Sequence, residues 1–115
     1  MPSLICLPNS VVTGELEPAG VRAGADRGKP ELKVIAAQHL VDAEAGVWEC
    51  RPGGWPVVDR PTTEVCHILS GRATLTDSNS GDATEITAGD FVILPRGWSG
   101  RWDVHETVRK VYVIF

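Results

Sequence analysis

The feature that most constrains this chain is the close spacing of turn signals along its second half. From Gly46 onward, short apolar or alternating runs (VWEC, EVCHIL, ATLT, TEIT, FVIL, KVYVIF) are separated by PGGW, SG, DSNSGD, AGD and PRG. Such runs are too short for ordinary helices, and alternation places successive side chains on opposite faces of a strand. Strand and turn repeated at these intervals is the rhythm of an antiparallel sandwich or barrel, so the fold class read from the residues is all-β. The DSNSGD run predicts a hairpin, because Asn, Gly and Asp tolerate the positive φ values that tight turns demand.

The first part of the chain lacks this rhythm. Residues 1–30 are rich in Pro, Gly and isolated charges (ELEPAGVRAGADRGKP) and show no sustained period, which predicts an irregular arm with room for one short edge strand. In PELKVIAAQHLVDAEAG, Pro30, the alanines and Gly46 suit a helix, whereas the neighbouring strand pattern favours another strand; both readings stay open. The barrel is expected over residues 31–115, with one domain in all.

Composition narrows the function. A chain of 115 residues, 43% hydrophobic and 23% charged, can bury one core. A net charge of -4 with no cluster of Lys and Arg argues against nucleic acid and anionic membranes as partners. The start, MPSLICLPNS, has no basic lead-in and its apolar run is broken by Pro8, so a cytoplasmic location is expected. Cys6, Cys50 and Cys66 form no CxxC pair and are odd in number, which predicts reduced thiols.

A specific glycine frame lies within the strand region. In RPTTEVCHILSG, Glu64 is followed after six residues by Gly71, with Gly53 and Gly54 upstream; Gly89 is followed after five residues by Pro95 and then Gly97. This frame resembles the two halves of the cupin signature. With GVWECRPGGW, GDFVILPRGWSGRWDV and VRKVYVIF, it is similar to the small cupins grouped with (S)-ureidoglycine aminohydrolase-like domains and ethanolamine-utilisation cupins. The resemblance implies an RmlC-like jelly-roll barrel, a double-stranded β-helix of two antiparallel sheets, paired as a homodimer.

The same resemblance locates the metal ligands that this chain would need. Two histidines should precede the glutamate, at Val58 and Arg60 or at Val57 and Asp59, and a fourth ligand should fall at Gly100. Neither pair offers imidazole nitrogens and of the four expected ligands only Glu64 survives, whereas a divalent transition metal wants three or four donors at once. No His-based metal site and no cofactor are therefore expected, and the metal-dependent aminohydrolase chemistry is not expected either.

What remains is a carboxylate that would cost several kcal/mol to bury unpaired. Glu64 and Cys66, two apart, share a strand face, with His67 on the other. Glu64, Cys66 and Lys110 are the candidate catalytic residues; the plainer alternatives are a core thiol at Cys66 and a purely structural pair of Glu64 with Lys110, Arg60 or an indole N–H. Trp48, Cys50, Arg60, Trp98, Trp102 and Tyr112 are the candidate ligand-binding residues. Of the tryptophans, Trp98 and Trp102 suit pocket walls best, and Trp48 suits core filling. His39, His67 and His105 have no partners at ligand spacing and read as structural.

On the last strand Lys110 and Tyr112 alternate with Val111, Val113 and Phe115, and parity alone does not say which set points inward. The resemblance, which carries a lysine before an aromatic here, favours the lysine. The expected function is a small-molecule site inside the barrel, for a ligand that the resemblance implies to be a polar, nitrogen-containing metabolite such as a ureide or amino alcohol derivative. A non-catalytic binding module, or a structural dimer with a filled interior, are the alternatives.

Overall fold

The computed structural model of the chain describes residues 3–115, with the backbone alone for residues 36–39. One helical turn, α1 (Asn9–Val12), is followed by nine strands: β1 (Glu17–Val21), β2 (Arg27–Gly28), β3 (Glu31–His39), β4 (Glu44–Cys50), β5 (Gly53–Val57), β6 (Glu64–Asp77), β7 (Ala83–Thr87), β8 (Phe91–Leu94) and β9 (Gly100–Ile114). No described helix is long and apolar enough to cross a membrane. The segment that fits either helix or strand is strand, because β3 gains partners on both edges, β1 and β4. The arm is more regular than its composition predicts: β1 pairs β3, and β2 pairs β5.

All pairings are antiparallel, and two long strands organise them. The C-terminal half of β9 lies between β4 and the first half of β6, which pairs β8. The N-terminal half of β9 lies between β5 and the second half of β6, which pairs β7. β6 and β9 thus each serve two layers of one curled sheet, whose inner faces meet in the core.

The bend in β6 follows from Gly71. Its φ of 90° suits glycine, and a Cβ there would run into the Thr107 carbonyl of β9. Register slips around this point, and inward parity changes with it: Glu64, Cys66 and Ile68 are buried before the bend, Ala73 and Leu75 after it. The expected hairpin forms at Asp77–Asp82, where the Asp77 carboxylate accepts from the Asn79 N–H and Gly81 has a φ of 78°.

Ile68, Ala73, Val104 and Val108, beside the bend, fill the sealed end of the interior. On the outer face, Arg109 donates to the carbonyls of Val12 and Gly14, tying the arm to β9. A second clamp, Arg101 with Asp26 and Asp103 and Arg27 with Asp103, fixes the β1–β2 connection over the other layer.

Candidate functional site

Cross-strand rows run from the sealed end beside the bend to the open end of the barrel. Trp48 on β4 lies opposite Lys110 on β9, which lies opposite Ile68 on β6; two residues on, Tyr112 lies opposite Cys66; two further, Ile114 lies opposite Glu64. On the second layer Trp55 lies opposite Trp102. Their rings stack, with centroids 5.9 Å apart and 9° between planes, and Trp48 closes the group at 6.2 Å from Trp55 and 5.9 Å from Trp102.

The lysine of β9 points inward. Its Nζ lies 2.6 Å from Glu64 Oε2, 4.2 Å from the Trp48 ring centre and 4.6 Å from that of Trp102. The pair is almost fully buried, at 7% and 6% side-chain exposure. Arg60 adds a second cation at 3.4 Å from Glu64 Oε1, while its Nε donates to the Thr62 carbonyl. Both carboxylate oxygens are thus engaged, which is what allows a charged group inside an apolar barrel.

Beside this pair opens a cavity of about 340 Å³, walled by Trp48, Trp55, Trp102, Tyr112 and the apolar Val34, Val57 and Ile114. Arg22, at the end of β1, stands at its rim, its guanidinium 5.4 Å over the Trp55 ring. The Tyr112 hydroxyl donates to Glu44 Oε2 at 3.3 Å. Burial, and then the neighbouring Glu44 charge, push that phenol up to about 12.

Of the nine residues expected in the site, Glu64, Lys110, Trp48, Arg60, Trp102 and Tyr112 line the cavity; Cys66, Cys50 and Trp98 do not. Cys66 is 2% exposed, and burial pushes its thiol up to about 11. Cys50 is fully buried, pushed by burial to about 12, and its sulfur donates to the Arg51 carbonyl. Both therefore behave as small core hydrophobes. Trp98 packs beside Gly100 and lines a different depression, of about 550 Å³, with residues of β7 and β8.

Trp48, expected first as core filling, is half-buried and faces the cavity. His67 is exposed, and His105 is exposed and bonded to the Thr74 hydroxyl at 2.7 Å; the side chain of His39 lies outside the described residues. Trp55, Arg22 and Glu44 were not singled out from sequence. Trp55 carried a signal, its place with the other three tryptophans at or beside the strand and turn segments. Arg22 carried none, since its place depends on how the arm crosses the barrel.

The positions where the fold family holds a metal do not suit one here. Val58 is 80% exposed, Arg60 brings a positive charge, and at Gly100 a Cβ would collide with the Trp98 ring and the Thr76 carbonyl. Among the described residues no three His, Cys, Asp or Glu side chains gather as metal ligands would. Lys110 and Arg60 supply the counter-charge to Glu64 from within the chain.

Several solved structures share this architecture. A protein of unknown function from the DUF861 family of Pseudomonas syringae pv. tomato superposes with a TM-score of 0.78 at 20% identity, over 90% of this chain and 45% of its own. This chain therefore spans about half the length of that protein. The ethanolamine utilisation protein EutQ of Salmonella typhimurium superposes with a TM-score of 0.68 at 20% identity, over 89% of this chain and 98% of its own. A DUF861 protein of Thermotoga maritima shows 36% identity with a TM-score of 0.56, over 60% of this chain and 76% of its own. No curated protein matches the chain. The family model for the EutQ-like cupin domain matches residues 38–112, which contain β4 to β8, most of β9 and the Glu64–Lys110 pair. The chain belongs to the EutQ-like cupin domain family.

Proposed function

We propose that this cupin binds a small organic molecule at the open end of its barrel, through contacts that use no His-held metal. The observation that carries this reading is the buried Glu64–Lys110 pair forming one wall of an open, tryptophan-lined cavity of about 340 Å³. A pair kept only to brace the barrel has no need of such a space, whereas concave aromatic surface with a few fixed polar groups is the usual make-up of a ligand site. With both Glu64 oxygens already engaged by cations, the carboxylate acts as a charge anchor that orients Lys110 and Arg60. Native mass spectrometry of the purified protein, with elemental analysis of the same sample, tests the reading. A retained organic mass that is lost on denaturation is expected; stoichiometric metal with no organic ligand overturns it.

A homodimer fits the outer face of the sheet. Ile93, Val65 and Val113 form one cross-strand row there, and Phe91, His67 and Val111 the next. Phe91 and Ile93 are 65% and 59% exposed, more apolar surface than an isolated barrel gains from displaying. Light scattering coupled to size-exclusion chromatography should give twice the chain mass, and Phe91→Ser should return the monomer; a monomeric unmodified protein rejects this assembly.

A further inference from the structure

Three indole rings and two carboxylates have the composition of a cage for an organic cation, yet this cage is filled from within. Lys110 Nζ lies within cation–π distance of both Trp48 and Trp102 while paired to Glu64. An ammonium seeking the same faces of Trp48 and Trp102 would have to displace it and leave a buried lysine without its partners, which is strongly unfavourable. Lys110 thus takes the cation position between Trp48 and Trp102 itself.

The remaining charge favours the opposite sign. The lining holds Arg22, Arg60 and Lys110 against Glu44 and Glu64, and Glu64 is shared between two cations. Arg22 sits at the rim over Trp55, and Arg60 uses only part of its donor fork on Thr62 and Glu64. A guanidinium presents five N–H donors in a planar array that matches a carboxylate.

Resting on the binding reading above, we propose that the cavity takes a small carboxylate with a flat or apolar body, its anionic end held by Arg60 and Arg22 and its body laid against half-buried Trp48 and the apolar Val57 and Ile114. A carboxylate is thereby required of the ligand, which the family resemblance implies only to be polar and nitrogen-containing. Charge-assisted contacts in a half-enclosed aromatic site are the stronger kind of hydrogen bond, and the apolar walls accept the rest of the molecule.

Benzoate, benzamide and benzylammonium share a ring and differ in charge, so titrating each against intrinsic tryptophan fluorescence tests the proposal on the unmodified protein. Benzoate should bind at least about tenfold more tightly than the other two, and Arg60→Gln and Arg22→Gln should each weaken it by about tenfold. Equal or tighter binding of benzylammonium or benzamide overturns the anionic assignment and leaves the cavity standing as a binding site. Unchanged benzoate binding in both arginine variants also overturns it. If none of the three probes alters the fluorescence, the anionic assignment falls, and the native mass spectrum decides the wider reading on its own.

Discussion

The two ends of the barrel interior are made by the same strands and differ in almost every property. β6 contributes Glu64 at one end and Ile68 and Ala73 at the other; β9 contributes Lys110 and Tyr112 at one end and Val104 and Val108 at the other. At the sealed end, Ile68, Val104 and Val108 leave no exposed surface. At the open end, half-buried Trp48 and the charged pair face a cavity. The contrast separates what a jelly roll needs to stand from what it has available for chemistry: stability resides in aliphatic packing around the bend, and the polar end is retained at a cost in desolvation.

Breaking the charged pair should produce the largest effect. Lys110→Met leaves Glu64 buried with only Arg60, and a loss of about 3–5 kcal/mol in urea denaturation is expected. The double variant Glu64→Gln, Lys110→Met should recover most of that loss; a double variant as unstable as the single one would mean that the pair holds the barrel together through more than its charge. At the sealed end, Ile68→Ala should cost about 2–4 kcal/mol by leaving a cavity that its neighbours cannot collapse. A cost below about 1 kcal/mol would place the stabilising core elsewhere.

Smaller effects sharpen the same comparison through pH. Burial holds the Cys66 and Cys50 thiols at about 11 and about 12, against 9.0 for an ordinary thiol. Between those values the unfolded chain loses thiol protons that the folded chain keeps, so the stability they contribute is full below pH 9 and declines as pH rises through about 11 to 12. Equilibrium unfolding across alkaline pH should show this decline. At pH 8, of the three cysteines, exposed Cys6 alone should react with a disulfide reagent until the chain is unfolded. Fast reaction of Cys66 would reopen a nucleophilic role for it. The smallest expected change is Arg22→Gln, within about 0.5 kcal/mol in stability because the side chain lies at the rim.

Much of this was legible in sequence for identifiable reasons. Alternation of apolar residues and turn signals specified strands from Gly46 onward, because a period of two can bury one face only in a sheet. The glycine frame around Glu64, Gly71, Gly89 and Gly97 marked the family, because those turns require backbone that other residues adopt poorly; Gly71, Gly89 and Gly97 all have positive φ. Five of the nine expected site residues line the cavity because of that alternation: Glu64, Lys110, Tyr112, Trp48 and Trp102 lie on inward positions of regular strands, while Arg60, the sixth, lies in the loop before β6.

The rest required the tertiary structure. Parity relates residues along one strand but says nothing about which face is inside, so the direction of Lys110 was settled only when β9 took its place between β4 and β6. The change of inward parity across Gly71 is likewise invisible until β6 is seen to bend against β9. Arg22 reaches Trp55 because the arm runs from one layer to the other, a contact between residues far apart in the chain that no local pattern encodes. Local chemistry determined that this chain forms a barrel with a carboxylate in it. Long-range packing decided which cations answer that carboxylate, and whether space was left beside them.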